Sequence, residues 1–162
     1  MKMIFDLDMD KCVACGACAI ACMDQNDIYP NEGGVPFRSV GMLERALGGG
    51  KFSYLSLACM HCEDAHCIPA CPVCCISKNE KGLTVYDNSL CIGCHSCAMA
   101  CPYGAPRFDS RNKMKKCDGC ALRQEYGYEP ACVRICPTKA LICVAEDEYE
   151  TAKPENSLRD QK

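Results

Sequence analysis

Sixteen of the chain's 19 cysteines fall into four runs of four, spaced as a polypeptide must space thiolates to cage iron. The sharpest run is Cys91-x2-Cys94-x2-Cys97-x3-Cys101-Pro102. Its first three thiols sit on a loop short enough to grip three irons of one cubane. The fourth lies about one helical turn beyond Cys97 and points away from the others. Such a run needs partner runs, and the chain has three. They are Cys12-x2-Cys15-x2-Cys18-x3-Cys22, Cys59-x2-Cys62-x4-Cys67-x3-Cys71-Pro72 and Cys117-x2-Cys120-x11-Cys132-x3-Cys136-Pro137. Sixteen thiolates are enough for four 4Fe–4S clusters.

In two-cluster ferredoxins the C-x2-C-x2-C-x3-C-P run sends its fourth cysteine to the other cluster. Three of the four runs keep the trailing proline, whereas Cys22 is followed by Met23. Tetrahedral zinc is the competing chemistry, and Cys117, Cys120, Cys132 and Cys136 taken alone would pass for a zinc site. A zinc-folded binding protein is therefore the rival class. Zinc has little use for the tight triple spacing of the other runs.

Neighbouring residues have auxiliary roles. Gly16, Gly93 and Gly119 let a loop bend closely over sulfur and aim backbone N–H groups at it, which tunes a cluster's potential. Pro72, Pro102 and Pro137 turn the chain after the fourth ligand. His61, His66 and His95 each adjoin a ligand cysteine, and are read as hydrogen-bonding or surface residues because the thiolate sets are complete without them. Cys74, Cys75 and Cys143 remain; they are read as small buried apolar side chains, with a redox pair at Cys74-Cys75 as the alternative. Gly48-Gly49-Gly50-Lys51 fails as a phosphate loop, since Arg45 stands where the first glycine belongs and Phe52 replaces Ser or Thr. No catalytic constellation appears.

The elements that must position these thiols are short. Residues 3–8 alternate as a weak strand, residues 17–24 read as a helix, Leu83–Tyr86 as one arm of a hairpin, and residues 138–145 as a closing strand. Residues 23–58 carry no cysteine, and Pro30, Gly33, Gly34, Pro36 and the Gly48–Gly50 tract mark turns, with one short strand at Val35–Val40. This insertion is read as solvated, with a partner-docking surface as the second reading. The basic stretch holding Arg107, Arg111, Lys113, Lys115 and Lys116 is likewise read as a solvated face. From Glu146 the chain is charged and reads as a frayed tail.

The bulk numbers agree with a metal-held interior. Without cysteine the hydrophobic share drops from 49% to about 37%, thin for a self-sufficient core at 162 residues. Metal ligation supplies what packing lacks. The charged N-terminus lacks a signal-peptide stretch, the cysteine count is odd, and a disulfide scaffold is disfavoured. No apolar run is long enough to insert directly in a membrane. A formal charge of −3 gives no footprint for nucleic acid. The expected location is cytoplasmic.

The order of the four runs, with Leu57-Ala58-Cys59-Met60-His61-Cys62-Glu63, Cys101-Pro102-Tyr103-Gly104-Ala105-Pro106 and Pro130-Ala131-Cys132-Val133-Arg134-Ile135-Cys136-Pro137-Thr138, closely resembles a known family. It is that of the four-cluster iron–sulfur subunits of the dimethyl sulfoxide reductase type, over residues 4–145. The resemblance implies a large molybdenum or tungsten bis-pterin catalytic subunit as partner, with a further redox partner or copies of the chain itself beyond it. It implies cluster one on Cys12, Cys15, Cys18 and Cys136, and cluster two on Cys22, Cys117, Cys120 and Cys132. Cluster three takes Cys59, Cys62, Cys67 and Cys101; cluster four takes Cys71, Cys91, Cys94 and Cys97. It further implies an α+β fold of two ferredoxin-like modules, each with two clusters. The inner module, residues 56–106, is inserted in an outer one built from 1–55 and 107–145, and 146–162 form a C-terminal tail. The expected function is a relay of single electrons to or from the pterin subunit. A free-standing soluble polyferredoxin is the alternative.

Overall fold

The structure, a computed structural model, describes residues 1–44 and 52–160. In chain order the elements are β1 (Met3–Leu7), α1 (Ala17–Gln25), β2 (Ser39–Glu44), β3 (Phe52–Leu57), β4 (Ile76–Lys78), β5 (Thr84–Tyr86), α2 (Ser96–Ala100), β6 (Arg107–Phe108), β7 (Met114–Lys115), α3 (Ala121–Glu125), α4 (Ala131–Arg134), β8 (Leu141–Ala145) and α5 (Glu146–Ala152). This small mixed α+β chain pairs its strands two by two, all antiparallel. β1 runs against β8, with Met3 opposite Ala145 and Leu7 opposite Leu141, so the far ends of the chain meet in one ribbon. The other ribbons, β2–β3, β4–β5 and β6–β7, are local.

Such short elements cannot stand alone: two-stranded ribbons and helices of four or five residues are marginal in water. Their support is the core, which has two centres. Phe5, Leu7, Leu83, Val133 and Leu141 gather with Cys12, Cys18, Cys132 and Cys136 in one. Ile76 and Met114 gather with Cys67, Cys71, Cys75, Cys91 and Cys97 in the other. Thiols occupy positions that aliphatic side chains hold in ordinary domains, as the composition suggests.

Several expectations need correction. The C-terminal segment is not frayed: α5 buries Tyr149, and Ser157 is fully enclosed and bridges to Asp8. The single strand expected at 35–40 is displaced to Ser39–Glu44 and paired with a second strand, β3, because the alternating apolar residues of 39–44 and 52–57 need each other's backbone. The insertion is not merely solvated, since Arg38 and Ser56 are buried, at 4% and 3% exposure. Lys116 is buried too, although the rest of the basic stretch lies at or near the surface. The turn expected at Gly48–Gly50 and the rejected phosphate loop lie outside the described residues.

Candidate iron–sulfur sites

Every helix that follows a cysteine loop starts from a residue in the left-handed region: Gly16 (φ 78°) before α1, His95 (φ 64°) before α2 and Cys120 (φ 54°) before α3. The reversal lets the loop fold over its own thiols before the helix carries the next cysteine away. Gly16 adopts it freely; His95 and Cys120 do so at roughly 1–2 kcal/mol each. At Gly93 only glycine fits, because a Cβ would lie 2.4 Å from Asn112.

Backbone N–H groups turn inward onto cysteine sulfur. Gly93 donates to Cys91 Sγ and Gly119 to Cys117 Sγ, both at 3.4 Å. Ala105 donates to Cys101 Sγ at 3.4 Å, and Met114 to Cys91 Sγ at 3.3 Å. These bonds favour the thiolate and shift electron density off sulfur.

The thiols ring cavities. Cys12, Cys15, Cys18 and Cys136 line one, walled by Leu7, Val40 and Pro137. Cys71, Cys91, Cys94 and Cys97 line another, against Phe108 and Met114. Cys59, Cys62, Cys67 and Cys101 line a third, larger one, with Tyr103, Tyr149 and Arg159 also on its wall. Cys22, Cys120 and Cys117 all lie close enough to Cys132 for their charges to interact, where α1 packs on α4. The run from Cys117 to Cys136 is thus divided between two places, which removes the basis for reading it as one zinc site. Cavities ringed by four thiols and aimed N–H groups fit a cubane cofactor.

Burial keeps many of these thiols protonated in the bare chain: it pushes Cys120 up to about 11 and Cys117 higher still. Loading iron therefore releases protons, and affinity for iron rises with pH. Of the spare cysteines, Cys75 is buried as expected, with its Sγ 3.4 Å from Cys71 Sγ. Cys74 is exposed, on a turn with φ 51°, and Cys143 is half-buried on β8, so neither is the buried apolar side chain expected.

The histidines divide by environment. His61 is buried, and its Nδ1 accepts the Thr84 N–H at 3.0 Å, which places the ring proton on Nε2, 3.8 Å from Cys117 Sγ. Burial, reinforced by Lys116 and Lys78 nearby, pushes its pKa well down and keeps it neutral. His95 stacks on Phe108 and meets Asn112 at 2.6 Å, while His66 is exposed.

Lys116 was not legible as a structural residue. Its ammonium donates to the carbonyls of Thr84 and Cys117 and lies 5.6 Å from the Tyr86 ring centroid. Lys116→Met leaves those carbonyls without this donor and is expected to cost about 1–3 kcal/mol. Anaerobic urea unfolding of the loaded protein measures it, and an unchanged midpoint would refute the role. Arg38 was missed as well, having no signal beyond its place in a cysteine-free insertion. Among the described residues no helix is long and apolar enough to cross a membrane.

Two matches to the 4Fe–4S dicluster domain cover residues 4–72 and 51–146. The chain is 39% identical over 151 residues to the B subunit of anaerobic dimethyl sulfoxide reductase of Escherichia coli, covering 85% of this chain and 70% of that one. It is 35% identical to the formate dehydrogenase iron–sulfur subunit of Wolinella succinogenes, over 96% of this chain and 87% of the other. With the arsenate respiratory reductase iron–sulfur subunit of a Shewanella species it shares 27% identity over 88% and 81%. Two dicluster domains account for four 4Fe–4S clusters. What the thiol cavities require of a cofactor and what the kinship records coincide: the chain belongs to the 4Fe–4S dicluster family, among the electron-transfer iron–sulfur subunits of oxidoreductases related to dimethyl sulfoxide reductase.

Proposed function

We propose that the chain passes single electrons between a large molybdenum or tungsten bis-pterin catalytic subunit and a second redox partner, along clusters held in the order one to four. Each 4Fe–4S cluster supplies a one-electron couple; the protein supplies spacing, burial and hydrogen bonds. The observation that carries the reading is the grouping of thiols around cavities. It supports cluster one on Cys12, Cys15, Cys18 and Cys136, cluster three on Cys59, Cys62, Cys67 and Cys101, and cluster four on Cys71, Cys91, Cys94 and Cys97. The association of Cys22, Cys117 and Cys120 with Cys132 supports cluster two.

Neighbouring clusters then share short segments. Cys18 and Cys22 join one to two on α1, as do Cys132 and Cys136 across α4; Cys67 with Cys71, and Cys97 with Cys101, join three to four. Two and three meet where Cys117 approaches His61 and Cys59. The β1–β8 pairing supports an outer module of 1–55 and 107–145 closed around an inner one of 56–106, with residues 146–160 packed beyond it through Tyr149 and Ser157.

Both ends of this wire carry exposed apolar side chains suited to partners: Val13, Ile20 and Ile135 near cluster one, Ile92 and Met99 near cluster four. Keeping sixteen thiols reduced until iron loads calls for a reducing compartment, which points to cluster assembly in the cytoplasm. Protein isolated anaerobically in its native complex is expected to hold roughly sixteen irons per chain, four to each cubane. The complex should also contain molybdenum or tungsten in a large subunit, read by native mass spectrometry with metal analysis. An iron content near half that value would overturn the ligand grouping, and a complex without either metal would overturn the partner.

A further inference from the structure

We propose that Arg38, anchored by Ser56, is a positioning residue that places one fixed positive charge between clusters one and two and raises the reduction potential of both. The proposal rests on the ligand grouping above. Arg38 immediately precedes β2, and Ser56 lies on β3, so the hairpin of the cysteine-free insertion delivers the pair together. The guanidinium Nη1 donates to the Ser56 carbonyl at 2.8 Å and reaches its hydroxyl at 3.3 Å. That hydroxyl is 3.1 Å from Cys18 Sγ, a ligand of cluster one. Cys132 and Cys117, both ligands of cluster two, lie near enough for their charges to act on the same guanidinium.

Arginine keeps its charge at any working pH. A buried cation needs a counter-charge, or its desolvation goes uncompensated. Among the described residues no carboxylate forms an ion pair with Arg38; sulfur from two clusters faces it instead. Reducing either cluster adds one electron and one unit of negative charge, with no bond made or broken. The fixed cation stabilises that added charge. The same charge on both sides moves the two potentials together, so the step between them stays small while both rise.

The test uses the full chain with its clusters, prepared anaerobically. Iron is counted first, so a fault in the ligand grouping is seen separately. Potentiometric titration followed by electron paramagnetic resonance then compares Arg38→Gln, Arg38→Lys and Ser56→Ala with the parent. Arg38→Gln should lower two of the four midpoint potentials, each by about a tenfold change in the reduction equilibrium, about 59 mV for one electron. Arg38→Lys should leave both near their original values, and Ser56→Ala should shift one of the same two. Unchanged potentials in Arg38→Gln at full iron content overturn the proposal. So does an equal shift of all four, or a lysine variant that behaves like glutamine. Should Arg38→Gln lose iron, unchanged potentials in Ser56→Ala overturn it.

Discussion

Stripping iron from the anaerobic protein with a strong chelator is expected to abolish the cooperative fold, not merely the colour. Thiols make up much of both core centres, among them Cys12, Cys18, Cys132 and Cys136 in one and Cys67, Cys71, Cys91 and Cys97 in the other. The helices α2, α3 and α4 are five, five and four residues long, too short to persist without tertiary support. Binding of structural metal by thiolate-rich sites contributes about 10–16 kcal/mol in small domains. The whole stability of a domain is about 5–15 kcal/mol. Losing the metal term therefore exceeds what packing retains. Far-ultraviolet circular dichroism and thermal melting before and after chelation, both under argon, measure the loss. A sharp melt persisting in iron-free protein would show that the apolar side chains suffice, contrary to this account.

The second large effect is expected from Asp6→Ala. Asp6 lies on β1 with 3% exposure, and its carboxylate collects four donors. Tyr149 and Ser157 hydroxyls donate to Oδ2 at 2.6 Å each, and the Leu7 and Arg159 N–H groups donate to Oδ1 at 2.7 and 3.4 Å. Arg159 in turn donates to the carbonyls of Phe5 and Met60, at 2.8 and 3.0 Å, tying the C-terminal segment to the first strand and to the second cysteine run. Bonds to a charged group contribute about 1.5–3 kcal/mol each, so removing the carboxylate is expected to cost about 3 kcal/mol or more. Trypsin should then cut after Arg159 much faster, while Tyr149→Phe, which deletes one donor, should show a smaller effect. Equal cleavage rates in parent and Asp6→Ala would show that the segment is held by other means.

This carboxylate marks where the sequence stopped being informative. Asp6 sits in a weakly alternating strand, and three of its four donors lie more than 140 residues away in a charged stretch. Nothing local in residues 146–160 distinguishes a packed helix from a frayed end, because the apolar content is low and the decisive contact is one buried acceptor. Arg38 and Lys116 were hidden for the same reason. A basic residue reads as solvated unless something buried answers its charge, and here the answer is sulfur and carbonyl oxygen from distant segments.

The chemistry, by contrast, was written locally. Thiol spacing within each run specifies which sulfurs can share a small loop, and that constraint is covalent: two residues between cysteines leave little freedom. The helix after the first run, the strand at Thr84–Tyr86 and the closing strand before Glu146 were readable because each lies within a few residues of such a run or of a clear alternation. Which run meets which is a matter of chain return over long distances. Only the packing of α1 on α4 and the pairing of β1 with β8 brought Cys136 beside Cys12. Short-range bonding geometry thus told what the chain binds, while the long-range burial of polar groups decided how that wire is enclosed and charged.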